Sequence, residues 1–229
     1  HHSVGLWTRN MAKNLALVFG LISFVGMVRS GSVPFYKDIM KNFTKEELTT
    51  IEEFMTVDQK PIDPADFSSK FECGESACNL CASLKIQGQT HEVCVKEYNR
   101  KSKPSGVTAL YVDGKQAHEF VVFNRYCQHL WGKVSGCLAV YDRAPAVGRS
   151  CYKMDINLLY TLVTFDFNCV KHEGENIKLD TSKPHKAGQG ILDVDLFGGK
   201  QPVVTVNQKD SETVKLVRTA VQELLKNFQ

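Results

Sequence analysis

Val107-Thr108-Ala109-Leu110-Tyr111-Val112-Asp113-Gly114-Lys115-Gln116-Ala117-His118-Glu119-Phe120-Val121-Val122-Phe123 decides the fold class. Two runs rich in β-branched and aromatic residues flank Asp113-Gly114. A tight hairpin turn needs positive φ at its central residues, which Gly adopts freely and Asp tolerates. The stretch therefore predicts a hairpin of Val107–Val112 and Gln116–Phe123. The same logic extends outward. Leu80–Gln87 and His91–Tyr98 flank a turn at Gly88, and Val134–Tyr141 reads as another strand. Ile156–Val170 is apolar at first and then alternates. Phe165, Phe167 and Cys169 fall on one face, and Thr164, Asp166 and Asn168 on the other. A period of two marks a half-buried strand. About six to eight short strands at regular spacing predict a mainly β fold, an antiparallel sandwich or barrel-like domain.

Eight cysteines lie in and around these strands: Cys73, Cys78, Cys81, Cys94, Cys127, Cys137, Cys151 and Cys169. An even set in an exported chain reads as a disulfide framework. Count alone leaves on the order of a hundred pairings open. Two pairings follow from turn positions, because directly opposed strand residues lie within disulfide reach. A hairpin about Gln87-Gly88 sets Cys81 opposite Cys94, and one about Ala144 sets Cys137 opposite Cys151. Cys73, Cys78, Cys127 and Cys169 then close the ends. Cys78-Asn79-Leu80-Cys81 is a CxxC without the βαβ setting of a redox motif or the second close pair of a zinc site. It is read as structural.

Helices flank the β region. Thr44-Lys45-Glu46-Glu47 is a capping box, with Leu48, Ile51, Phe54 and Met55 on one helical face. Pro61 and Pro64 end any helix before them. Asp58–Asp66 lacks the alternating acids and central Gly of a calcium loop and reads as linker. After a polar linker, Lys183–Gly190, come strand candidates Ile191–Leu196 and Pro202–Val206. Asp210 or Ser211 then caps a helix whose stripe is Val214, Val217, Val221, Leu224, Leu225 and Phe228. The stripe is expected to pack on the body, since Lys215, Arg218 and Lys226 against Glu212 and Glu223 are too balanced for a membrane-surface helix. The organisation expected is 1–10 leader residues, 11–30 signal peptide, and 33–69 helical segment and linker. A cysteine-rich β domain, 70–182, follows, and 183–229 completes the chain.

The targeting segment begins at Met11. Lys13 precedes the apolar run Leu15–Val28, which ends in Arg29-Ser30-Gly31-Ser32. A short positive stretch, an apolar core and small residues make a secretory signal. The run is shorter than the about 20 residues that span a bilayer. Val28 and Ser30 suit cleavage after Ser30; Ser30 and Ser32 suit cleavage after Ser32. Asn42-Phe43-Thr44 is a glycosylation sequon, so Asn42 is a candidate glycan site in a secreted chain.

Composition excludes more than it identifies. A net charge of +3 and pI of about 8.4 give no basic stripe of the kind nucleic-acid binders carry. Lys96, Arg100, Lys101 and Lys103 form the densest basic run and read as a solvated loop. No Gly-x-Ser-x-Gly elbow, His-Glu-x-x-His helix or phosphate-cradling loop is present. Cys127-Gln128-His129 lacks the flanking residues of a secreted phospholipase site. His91, His118, His129, His172 and His185 show no ligand spacing. No metal or cofactor is expected.

The stretch from about Cys73 to Val170 resembles an uncharacterised secreted arthropod family, the domain of unknown function 4773 family. The matching features are Cys94-Val95 leading into a strand, Tyr111-Val112-Asp113-Gly114-Lys115, and Cys127 after a polar break. Cys137-Leu138-Ala139-Val140-Tyr141-Asp142, Cys151-Tyr152 and an aromatic strand ending in Cys169 complete the match. Cys73, Cys78 and Cys81 are more spread than that family's clustered cysteines. The resemblance implies a secreted β-rich domain and brings no catalytic residues. The expectation is an extracellular binding protein without a membrane span, for an apolar small molecule or a protein partner. Phe120, Phe123, Tyr126, Trp131, Tyr160 and Phe165 are the candidate lining. The alternatives are an interaction or inhibitor protein using loops Asn99–Ser105 and Ala144–Gly148, and a secreted hydrolase with an unrecognised site.

Overall fold

A computed structural model describes residues 32–56, 66–86, 88–99, 106–144, 148–180, 182, 188, 190–196, 202–207 and 212–228. Helix α1, Val33–Met40, starts with Pro34 in its first turn, where the missing N–H costs nothing. Helix α2, Lys45–Met55, is capped by Thr44. The Thr44 hydroxyl accepts from the Glu47 N–H, and the Glu47 carboxylate accepts from the Thr44 N–H. Helix α3, Glu212–Leu225, packs against both, with Val214, Val217, Ala220 and Val221 buried. The apolar stripe thus turns inward, except that Phe228 at its end is exposed. Lys37 and Glu223 pair at 3.0 Å across α1 and α3.

Two antiparallel-rich sheets form the body and do not close into a barrel. The first contains, in order, β1 (Phe67–Cys73), β2 (Ala77–Ile86), β3 (Gln89–Tyr98), β4 (Val107–Val112) and β5 (Lys115–Phe120). The second runs β12 (Val203–Val206), β11 (Leu192–Asp195), β9 (Thr161–Glu173), β8 (Arg149–Asn157), β7 (Val134–Ala144) and β6 (Arg125–Trp131). β10 (Asn176–Asp180) pairs with the end of β9, and β11 lies parallel to the start of β9. The Asp113-Gly114 turn is present, with positive φ at both residues. Helices and both sheets share one contiguous apolar core. No helix among the described residues is long and apolar enough to cross a membrane.

All eight cysteines form bridges: Cys73–Cys78, Cys81–Cys94, Cys127–Cys137 and Cys151–Cys169. Each joins directly opposed residues of neighbouring strands. The Cys81–Cys94 expectation holds. The Cys137–Cys151 expectation does not. The β7–β8 turn lies beyond Ala144, which pairs with Arg149, so Cys137 faces Asp155 instead. A bulge between Val140 and Asp142 shifts the register further. Cys137 is taken by Cys127 on β6, a strand the sequence pattern did not announce.

Three other readings change. Ile156–Val170 is not one strand: β8 ends at Asn157 and β9 begins at Thr161. β1 begins at Phe67, inside the expected linker. Phe165 and Cys169 do not share a face. Lys153 opposes Asp166 while Cys151 opposes Cys169, so two β9 residues, Phe167 and Asn168, face Tyr152 alone. This bulge, with Asn168 at φ 66°, reverses the alternation of β9. Cys169 joins the face of Asp166, and His172 joins the core-facing side of Phe165.

Candidate functional site

One end of the sandwich gathers the β1–β2, β3–β4, β5–β6, β7–β8 and β9–β10 connections. The register requires this: Tyr98 pairs with Val107, Thr108 with Phe120, Arg149 with Ala144, and Asn176 with Glu173. Asn99 ties three of these connections together. Its N–H donates to Ser76 O at 3.0 Å and its side-chain amide to Glu175 O at 2.7 Å. The two loops expected to mediate interactions leave from this end. Asn99, Ala144 and Gly148 of them are described; the rest, with Arg100, Lys101 and Lys103, lie outside the described residues.

Directly beneath is a polar network that spans the two sheets. Glu97 (β3) and Thr108 (β4) come from one sheet, Tyr152 (β8) and His172 (β9) from the other. Glu97 is buried. One of its oxygens meets His172 Nε2, and the other accepts from the Tyr152 hydroxyl. Thr108 Oγ1 lies 3.0 Å from the same hydroxyl. A buried carboxylate is costly unless paired and hydrogen-bonded, and these partners supply both. Burial, then the Glu97 charge, hold the Tyr152 phenol well above its ordinary pKa. Two glycines make room for His172. A Cβ at Gly106 would sit 2.6 Å from His172 Cε1, and one at Gly148 would sit 2.8 Å from His172 O. The Thr108 hydroxyl bonds Tyr152 rather than His172, so the four groups do not form a nucleophile–base relay.

An aromatic stack adjoins this network. Phe120 stacks on Phe123 at 4.3 Å and meets Tyr126 edge-on at 4.8 Å; His118 stacks on Tyr126 at 4.6 Å. Phe123 also lies over Tyr152 at 6.4 Å. The stack anchors the β5–β6 connection. Asn124 O accepts from Val140 N at 2.9 Å, and Phe123 O accepts from Arg143 Nη2 at 3.3 Å. Yet the two residues at its crest turn outward. Val121 is 40% exposed and Val122 72% exposed. Exposed Arg125 and Arg143 flank them.

Three of the six candidate aromatics, Phe120, Phe123 and Tyr126, are therefore brought together. The other three are not. Trp131 stacks on His91 at 4.2 Å between the sheets. Tyr160 sits half-buried in the β8–β9 turn, where burial and then Tyr36 push its phenol up. Phe165 is core, against Phe67 and Phe167. His129 is exposed and meets Gly132 O. His185 lies outside the described residues, as do residues 1–31, which hold the expected signal. Asn42 is exposed, with its carbonyl accepting from Lys133.

The role of His172 had no local signature, because only the Asn168 bulge turns it inward. Among the described residues the one group with metal-like spacing is Cys81, Glu92 and Cys94. Both its sulfurs belong to one disulfide, so neither is a thiolate ligand. No protein-family model, no curated protein and no solved structure matches this chain.

Proposed function

We propose that this is a secreted binding module that docks a protein partner on the β5–β6 lip. The observation that carries the reading is the Val121–Val122 pair. Exposed apolar residues on a connection held by stacked rings and by two hydrogen bonds to its carbonyls, one of them from the Arg143 side chain, are prepared for contact, with little ordering entropy left to lose. Functional loops on a rigid sandwich are a recurrent arrangement. Phe120 and Phe165 pack into the core, which favours a partner protein over an apolar small molecule held between the sheets. Four disulfides fit an oxidising compartment, and with the Leu15–Val28 leader they support export. A glycan on exposed Asn42 and membership of the arthropod family whose cysteine order it resembles belong to the same reading.

A photo-crosslinking residue at Val122, with Lys115 at the far end of β5 as control, tests the lip in the native extracellular fluid. A discrete protein adduct at position 122, absent at 115, is expected. Unmodified protein should compete it away, and the V121E/V122E variant should not. Equal competition by that variant, or no position-specific adduct, refutes the lip.

A further inference from the structure

We propose that Cys73–Cys78 is a thiol-exchange site, open to a small-molecule thiol such as glutathione while the protein stays folded. This goes beyond partner binding and rests on a different surface.

Cys73 is the only exposed cysteine of the eight. Cys81, Cys137, Cys151 and Cys169 are buried, and Cys94 and Cys127 are half-buried. Beside Cys73 lies an open groove of about 570 Å³, shared by Gly74, Glu75 and Asn176–Leu179 of β10. Space next to the cysteine is clear: a Cβ on Gly74 would meet nothing within 4 Å. The exposed Cys73 residue and the groove beside it are where a thiol would approach the bridge, whereas Cys78 is fully buried.

Opening this bridge costs the fold little. It lies at the last of seven paired positions between β1 and β2, and Gly74 N still donates to Ala77 O at 2.8 Å across the turn. Only four residues lie between the cysteines, so the loop it closes is the shortest of the four. Loop-closure entropy is correspondingly the smallest.

The exchange balances without an oxidant. A thiolate attacks Cys73 Sγ, forming a mixed disulfide, and the Cys73–Cys78 bond breaks. Its electron pair leaves on Cys78 Sγ, which takes up the proton released by the incoming thiol. Return attack by Cys78 re-forms the bridge and releases the small thiol.

The test exposes the secreted full-length protein to increasing reduced glutathione. Samples are quenched in acid, alkylated in denaturant and mapped by mass spectrometry. Glutathione on Cys73 and alkylated Cys78 should form at least about tenfold faster than any opening of the other bridges. Near-UV circular dichroism should stay unchanged. Earlier opening of another bridge, glutathione on Cys78, or loss of the near-UV signal with the first adduct overturns the proposal. The C73S/C78S variant should be secreted, fold and take no adduct. Failure of that variant to fold would show the bridge to be a structural requirement and would also overturn it.

Discussion

Replacing Tyr152 with Phe isolates the inter-sheet network. The ring keeps its volume and its stack with Phe123; only the hydroxyl is lost. That hydroxyl serves two partners from the opposite sheet, the Glu97 carboxylate and Thr108 Oγ1. A hydrogen bond to a charged group contributes about 1.5–3 kcal/mol, and a buried acceptor left unsatisfied costs about 1–3 kcal/mol. The two figures describe largely the same loss, so we expect Tyr152→Phe to destabilise by about 2–3 kcal/mol. At about 2–4 °C per kcal/mol for a domain of this size, Tm should fall by about 4–12 °C. Urea unfolding of the oxidised protein should show a lower midpoint at unchanged m. A double-mutant cycle with Glu97→Gln assigns the loss to the pair, with a coupling of about 1 kcal/mol or more expected. A Tyr152→Phe cost below about 0.5 kcal/mol, the range of ordinary surface changes, would refute the network as a link between the sheets.

Alkaline pH should weaken the fold through Tyr152 and Tyr141. Burial, then Glu97 for one and Asp166 for the other, raise both phenols above their unfolded value. The folded state thus keeps its protons where the unfolded state sheds them, and stability should fall as pH rises past about 10. Unfolding followed from about pH 8 to about pH 11, a range that brackets the ordinary phenol value near 10, checks this, and a flat profile contradicts it. Thr44→Ala should cost about 1 kcal/mol by removing the α2 cap, and it should abolish any glycan as well. Asn42→Gln should abolish the glycan while leaving the urea midpoint nearly unchanged, as Asn42 is exposed and the cap is made by Thr44 and Glu47; equal destabilisation by both would contradict the separation. Gly106→Ala drives its methyl into the His172 ring and should destabilise by about 1–3 kcal/mol, the cost of overpacking; a neutral result in the same assay would mean the ring moves aside freely.

Much of the framework could be read from local chemistry. The Thr44 capping box marks the start of α2, and Met55 ends it. Asp113-Gly114 locates the β4–β5 turn, and Val107–Val112 is β4. Cys81 and Cys94 follow from their shared turn. Elements without a strong apolar period escaped. β6, Arg125–Trp131, is an edge strand of mixed polarity, and β1 and β10 are short and largely polar. Edge strands bury little on either side, so neither alternation nor an apolar run sets them apart from loop. Missing β6 also hid the partner of Cys137.

The candidate site shows the deeper limit. The alternation of faces along β9 was read correctly up to Phe167, but the strand is not half-buried, since Thr164 and Asp166 are buried as well, and a pattern of period two carries no warning of an inserted residue. Asn168, at φ 66°, is tolerated in that left-handed region better than most residues. Without the bulge, His172 would continue on the face of Asp166 and Thr164, away from Glu97. The buried carboxylate would then lose the one basic group that meets it among the described residues. The bulge thus adds the His172–Glu97 contact to the Tyr152 link between the sheets, and that join lies directly below the β5–β6 lip, with Tyr152 touching both the network and Phe123. The rigidity on which the proposed docking at Val121 and Val122 relies therefore draws on a backbone irregularity three strands from β6, visible only once strand register is known.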